Sequence, residues 1–184
     1  MLTRTLLNSK SFELTINRLC YQLIENHNDF SNSILIGLQP RGVKLLQRIE
    51  EKLTQIQPGL ELKTGSLDVT FHRDDFRRGA QPLTASENSM PHLVEGKRVV
   101  LIDDVLYTGR TVRAGLDALL DYGRPVNVEL LVFIDRRFSR HLPIQPDYVG
   151  QKIDAIVSER VEVKWNETEG KDEVVLFTLN QENE

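Results

Sequence analysis

The chain has a single cysteine, Cys20, in 184 residues. That excludes an internal disulfide and, with it, a disulfide-stapled secreted scaffold. It also lacks a long apolar run. The amino-terminal MLTRTLLNS is too short to read as a secretory signal, and no stretch reads as a membrane span. Basic charge is not in excess: the formal net charge is −4 and the pI about 5.6, so no global electrostatic footprint for nucleic acid exists, although a local basic face stays open. No linker, internal repeat or low-complexity tract interrupts the sequence. What is present, 40% hydrophobic and 27% charged residues, is the make-up of one soluble globular domain with a sizeable core. Cytoplasm follows as the expected compartment. Cys20 falls on the apolar face of a predicted helix and reads as a small buried hydrophobe rather than a reactive thiol.

The stretch KRVVLIDDVLYTGRTV, residues 97–112, carries the strongest signal. Val99, Val100, Leu101 and Ile102 predict a buried strand of a parallel sheet, ending on two adjacent carboxylates, Asp103 and Asp104. A loop over Val105 to Arg110 follows. Thr111 then opens a helix with Val112, Leu116, Leu119 and Leu120 on its apolar side. The first amides of such a helix have no internal partner and its dipole favours an anion there. Gly109 admits close approach of a phosphate, while Thr108 and Thr111 add hydroxyl donors. The two carboxylates accept hydrogen bonds at the carboxyl edge of the sheet, where open α/β sheets bind ligands. A phosphate at the loop and a diol at the acids describe a ribose 5-phosphate. Taken alone, an acid pair after a strand is more often a set of loop-start carboxylates that cap a helix.

The rest of the chain supports an α/β sheet. A helix over 11–27, capped by Ser11, carries Ile16, Leu19, Cys20, Leu23 and Ile24 at helical spacing. Strands are predicted at 33–37, 66–72, 99–103 and 128–134, and those at 33–37, 99–103 and 128–134 alternate with helices as βαβ units. Between the first strand and the second helix lies GLQPRG. Gln39 precedes a proline and is not easily helical, so the chain turns there and presents Arg41 at the sheet's carboxyl edge. An arginine fork suits a diphosphate, and an ordinary paired arginine in a first helical turn is the plainer alternative. The tract 73–96 is polar, has two prolines and no period, and predicts a lid or functional loop. Gly123 and Pro125 stop the helix that follows the acid pair. Ile153–Val157 and Val161–Trp165 are predicted as further strands, with a carboxyl-terminal hairpin over about 160–179.

The run VVLIDDVLYTGRTVRAGLDALLDYGRP resembles the phosphoribosyl pyrophosphate signature of type I phosphoribosyltransferases, and among them the PyrR family, pyrimidine operon regulators that also act as uracil phosphoribosyltransferases. The similarity spans about Phe12 to Val163. It implies a type I phosphoribosyltransferase fold, with the lid at 73–96 and a base-binding hood at about 136–152. It also implies roles. Asp103 and Asp104 hold the ribose hydroxyls, and Tyr107, Thr108, Gly109, Arg110 and Thr111 wrap the 5-phosphate. Gln39, Pro40, Arg41, Gly42 and the lid residue Arg73 meet the pyrophosphate, so that Asp103, Asp104 and Arg41 form the catalytic group. Asp135, Arg136, Tyr148 and Val149 match positions around the base. Mg²⁺ is expected on the substrate pyrophosphate rather than in a dedicated protein site. His72 and His141 qualify as acid–base groups by residue type alone.

In the regulator branch the resemblance also implies RNA contacts, here Arg18, Arg136 and Arg140, and a homodimer or higher homo-oligomer. Tyr21, Asn26, Gln145 and Gln151 stand where cations or histidine are expected, and Arg137 replaces a glycine. Fewer cations weaken phosphate contacts steeply. The expectation is therefore a uracil phosphoribosyltransferase, with regulation of pyr mRNA in question. An RNA-binding attenuation regulator with little activity, and a purine phosphoribosyltransferase, remain the alternatives.

Overall fold

The computed structural model describes residues 2–69 and 89–178. Eight strands and four helices follow in the order β1 (Leu2–Leu7), α1 (Ser9–His27), β2 (Ser33–Leu38), α2 (Arg41–Ile56), β3 (Thr64–Leu67), β4 (Arg98–Leu106), α3 (Arg110–Leu119), β5 (Asn127–Arg136), β6 (Tyr148–Ile153), β7 (Glu159–Lys164), α4 (Asn166–Glu169) and β8 (Glu173–Thr178). Five strands form a parallel sheet in the order β3-β2-β4-β5-β6. The α/β fold expected from the sequence is what forms. Strand β4 sits at its centre, and its apolar residues 99–102 are fully buried, as a strand covered on both faces requires.

One face is packed by α1 and α2, whose Phe12, Leu19, Leu23, Leu45, Ile49 and Leu53 meet Val100, Ile102 and Phe133 in one core. The other is packed by Val112, Ala118 and Leu119 of α3 against Ile36, Leu101 and Val132. A second, antiparallel sheet in the order β1-β8-β7 closes over the first core. The Phe12 ring lies 4.5 Å from Phe133 and 5.4 Å, edge-on, from Trp165, joining the two sheets.

Several elements differ from the sequence expectation. Helix α1 begins two residues early. Asn8 is its cap, accepting the Ser11 amide at 3.0 Å while Ser11 Oγ accepts the Asn8 amide at 3.1 Å, so Ser11 closes a capping box from inside the helix. Strand β4 does not stop at the acid pair. It runs to Leu106 because Val105 and Leu106 pair with Ile134 and Asp135. Leu116 and Leu120 face solvent, the buried side of α3 being built from Val112, Ala114, Gly115 and Ala118 instead. The strand expected at 66–72 is set earlier, at 64–67, and Thr70–His72 lie outside the described residues. So do Arg73 and most of the expected lid. Its last part, 89–96, packs on the body: Ser89 bridges Ser66 and Val94 is buried.

The expected hood at 136–152 divides in two. Residues 148–152 belong to the edge strand β6 of the main sheet. Of the expected strand 153–157, Ile153 ends β6 and residues 154–157 form a connection with Ile156 and Val157 exposed. The small unit comes from both ends of the chain, with the amino-terminal β1 completing the carboxyl-terminal hairpin.

Candidate active site

The acid pair sits where β4 emerges between α2 and α3. Asp103 and Asp104 are only 8% and 6% exposed. The Asp104 amide donates to Asp103 Oδ1 at 2.9 Å, and Asp104 Oδ2 accepts from Arg41 Nε at 2.6 Å. Arg41 also donates from Nη2 to the carbonyl of Val163 in β7. One guanidinium thus ties the start of α2, the acid pair and the small sheet together.

The loop Leu38–Gly42 can lie this close to β4, and double back on β2, because Gly42 and Gly37 carry no side chain. A Cβ on Gly42 would stand 2.2 Å from the Ile102 carbonyl oxygen and 3.2 Å from Asp103 Cα. A Cβ on Gly37 would meet Val43 Cα at 2.8 Å. The Gln39–Pro40 peptide is cis. Pro40 stands at the cap position of α2, and Gln39 Nε2 donates to Ser66 Oγ at 3.2 Å. The four residues 39–42, expected at the pyrophosphate, are therefore gathered beside the acid pair.

On the other side of Asp104, residues 107–109 lead into α3. Gly109 holds φ at +90°, the left-handed region, and caps the helix without a side chain. The Arg110 amide turns back to Thr108 Oγ1 at 3.4 Å. The loop is covered from outside by residues 140–144. The amides of His141 and Leu142 donate to the Thr108 carbonyl at 3.0 and 3.3 Å, and Ile144 packs against Gly109. Tyr107 through Thr111 thus form the helix-terminal turn expected of an anion site.

The expected base residues separate. Asp135 and Arg136 end β5 at the carboxyl edge. Asp135 pairs with Arg140 Nη2 and lines a cleft of about 440 Å³ with Arg140, Pro143, Ile144, Pro146 and Lys152. Arg136 is 5% exposed. Its guanidinium lies 4.1 Å over the Tyr107 ring and donates to the carbonyls of Ile156 and Glu159 at 3.1 and 2.9 Å. Burial lowers its pKa. Tyr148 is not at this edge. It pairs with Leu131, four residues before the Asp135–Lys152 row, a separation of about 13 Å along the strands. Its hydroxyl donates to Glu129 Oε2 at 2.5 Å and lies 3.2 Å from His27 Nε2. This cluster, with His27, Ser33 and Tyr148 buried, extends outward to half-buried Glu129 and Arg98 and to exposed Asn26 at the amino edge. Val149 packs beneath the sheet beside Ile144. Ile156 and Val157 are 61% and 80% exposed beyond the end of β6, and the Ile156 carbonyl accepts from Arg136. An apolar pair before a Ser-Glu turn was the signal available, and it was read as strand.

The expected RNA contacts also change character. Arg136 is buried and engaged, and Arg140 reaches Asp135 and the Tyr107 carbonyl. The resemblance implies a surface role for both; here Arg136 turns inward at the end of β5, and Arg140 is half-buried beside Asp135. Arg18 is exposed but donates to the carbonyls of Val149 and Gly150 on the open edge of β6. His141 gives a backbone donor to the phosphate loop, and His72 lies outside the described residues. None of the described helices is long and apolar enough to cross a membrane.

The model of the phosphoribosyl transferase domain family matches residues 3–168. The bifunctional protein PyrR of Deinococcus deserti is 43% identical over 175 residues, covering 95% of this chain and 94% of that protein. That of Halalkalibacterium halodurans is 40% identical, covering 95% and 97%. Among solved structures, a hypoxanthine phosphoribosyltransferase from Staphylococcus aureus superposes with a TM-score of 0.68 at 18% identity, covering 97% of this chain and 93% of its own. One from Trypanosoma cruzi gives 0.70 at 15%, covering 96% and 91%. The latter two share the fold. With an acid pair, a glycine-capped phosphate turn and an arginine loop converging on one sheet edge, and with these relatives matched over nearly their whole length, the chain belongs to the phosphoribosyltransferase family and, within it, to the PyrR proteins.

Proposed function

We propose that the protein transfers the phosphoribosyl group of phosphoribosyl pyrophosphate to uracil, yielding uridine monophosphate and pyrophosphate. The observation that carries this is the meeting of Arg41 with Asp104 at 2.6 Å beside the Gly109 turn. Pyrophosphate, ribose and 5-phosphate subsites then lie side by side in the order the substrate needs. Asp103 and Asp104 accept the ribose hydroxyls. The amides at the start of α3, with Thr108 and Thr111, take the 5-phosphate. Arg41, with Gln39, Pro40 and Gly42, meets the pyrophosphate. Uracil lies between the Ile156–Val157 loop and the cleft at Asp135. As the bond from C1′ to the pyrophosphate oxygen breaks, its electron pair leaves with pyrophosphate, N1 of uracil bonds to C1′, and the N1 proton is lost to solvent. The chain's contribution is alignment and neutralisation of the leaving charge. Two carboxylates beside a polyphosphate suit Mg²⁺, which keeps waters and substrate oxygens in its shell and would supply further charge neutralisation. The single thiol, Cys20, is buried, which suits the cytoplasm.

The test is pyrophosphate release from phosphoribosyl pyrophosphate and Mg²⁺ with uracil, hypoxanthine or guanine, and with Asp104→Asn as control. Turnover with uracil that collapses in the variant supports the reading. Turnover only with a purine overturns the choice of base, and no turnover overturns the enzyme.

The relatives' designation as bifunctional favours a second role, regulation of pyr mRNA through a pyrimidine nucleotide in the same site. Of the three expected contacts, Arg18 is exposed, Arg140 half-buried and Arg136 buried, so RNA recognition here would draw on other residues as well. Binding of pyr leader RNA against a scrambled RNA at two salt concentrations separates a specific site from charge attraction. A homodimer or higher homo-oligomer is proposed from exposed Leu14 and Tyr21 on α1; light scattering checks it.

A further inference from the structure

The carbonyls of Tyr107 and Thr108 are held by residues 140–142, and that of Gly109 by the helix that follows. Arg140 Nη1 donates to the Tyr107 carbonyl at 2.6 Å. The His141 and Leu142 amides hold the Thr108 carbonyl, and the Arg113 amide holds that of Gly109 within the helix. In a trans peptide the C=O of one residue and the N–H of the next point in opposite directions. Fixing the carbonyls of Tyr107 and Thr108 toward residues 140–142 therefore aims the amides of Thr108 and Gly109 away from that segment, while the Arg110 amide turns to Thr108 Oγ1 at 3.4 Å. That arrangement is an anion nest. The Thr108 and Gly109 carbonyls are held by backbone groups, which any sequence supplies. The Tyr107 carbonyl is held by one side chain.

That side chain is fixed in turn. Arg140 Nη2 is paired with Asp135, itself 5% exposed at the end of β5. Tyr107 is held again through its ring, under the Arg136 guanidinium. Asp135 and Arg136 are consecutive, so the last two residues of β5 reach the same peptide by two routes. The neighbouring Arg137 pairs with Asp154, with side chains half exposed, and lines the cleft beside Asp135 rather than the phosphate turn.

We propose that Arg140 is a positioning residue of the phosphoribosyl site: it orients the Tyr107–Thr108 peptide so that the turn presents its amides to the 5-phosphate, and it links that turn to Asp135 on the base side. This rests on the phosphoribosyl reading above. A hydrogen bond from a charged donor is a strong one, so its loss weakens phosphate binding by about tenfold or more.

The test is binding of ribose 5-phosphate and of pyrophosphate, separately, to wild type, Arg140→Ala, Arg140→Lys and Arg137→Ala, with thermal unfolding of each. Arg140→Ala is expected to raise the Kd for ribose 5-phosphate about tenfold or more, leave that for pyrophosphate within twofold, and raise the KM for phosphoribosyl pyrophosphate more than it lowers kcat. Arg140→Lys keeps one charged donor and recovers part of the loss. Arg137→Ala changes neither Kd. Should Arg140→Ala prove too unstable to assay, Arg140→Lys decides by the same comparison, since a purely structural defect would weaken both ligands alike. An unchanged ribose 5-phosphate Kd, or an equal loss for both ligands, overturns the role of Arg140. No ribose 5-phosphate binding to wild type overturns it together with the phosphoribosyl reading.

Discussion

Gly42→Ala adds one methyl group to the tightest backbone contact in the site. Its Cβ would lie 2.2 Å from the Ile102 carbonyl oxygen, whereas a carbon and a carbonyl oxygen rest at about 3.3 Å. Relief requires the first turn of α2 to move about 1 Å away from β4, because neither backbone can rotate aside as a side chain would. Overpacking of this kind costs about 1–3 kcal/mol. For a chain of this length that lowers Tm by roughly 2–12 °C. The catalytic effect is larger than the stability effect. The same turn carries Arg41, whose Nε sits 2.6 Å from Asp104, and a 1 Å misplacement costs on the order of 100-fold in rate. Steady-state turnover with uracil and a thermal melt, run on the same preparation, measure both. A variant that keeps its Tm within a degree and its kcat/KM within a factor of two would refute the claim that this backbone contact sets the Arg41–Asp104 geometry.

Acid should unfold the protein through the amino-edge cluster. Hydrogen bonds from Tyr148 and Arg98, and the charge of His27, outweigh burial and hold Glu129 at about 2, below its ordinary 4.5. Burial lowers the pKa of His27 despite the pull of Glu129. Both groups bind protons more readily unfolded, so the stability they give is present above pH 6.5 for His27 and above 4.5 for Glu129, and is lost as pH falls through their folded values. Urea midpoints measured from pH 7 to pH 3 should decline, and Glu129→Gln should lower the midpoint at pH 7 while flattening that decline; a parallel decline in the variant counts against it. The Cys20 thiol is pushed up to about 12 by burial, so native protein should resist a thiol reagent at pH 8 and react on unfolding in urea. Rapid labelling of the folded protein would contradict its place in the core.

The sequence by itself determined the chemistry-bearing stretch. Val99 to Ile102, the acid pair, Gly109 and the helix after it are contiguous, and their roles follow from strand periodicity, burial and the free amides of a helix start, all local physics. The five parallel strands were legible in part for the same reason: three of them alternate with helices of clear period. What the tertiary structure decided depends on partners far away in sequence. Strand β1 pairs with β8 across nearly the whole chain, and nothing in a short amino-terminal run names such a partner. Tyr148 and Asp135 are close in sequence, yet β6 runs parallel to β5 and sends the Tyr148 hydroxyl to Glu129 near the strand's start. Arg18, Arg136 and Arg140 are identical as letters. One caps an open sheet edge, one is buried beneath Tyr107, and one pins a peptide of the phosphate turn. A guanidinium with five donors accepts any of these uses, so only the carbonyls and carboxylates the fold brings within reach decide among them.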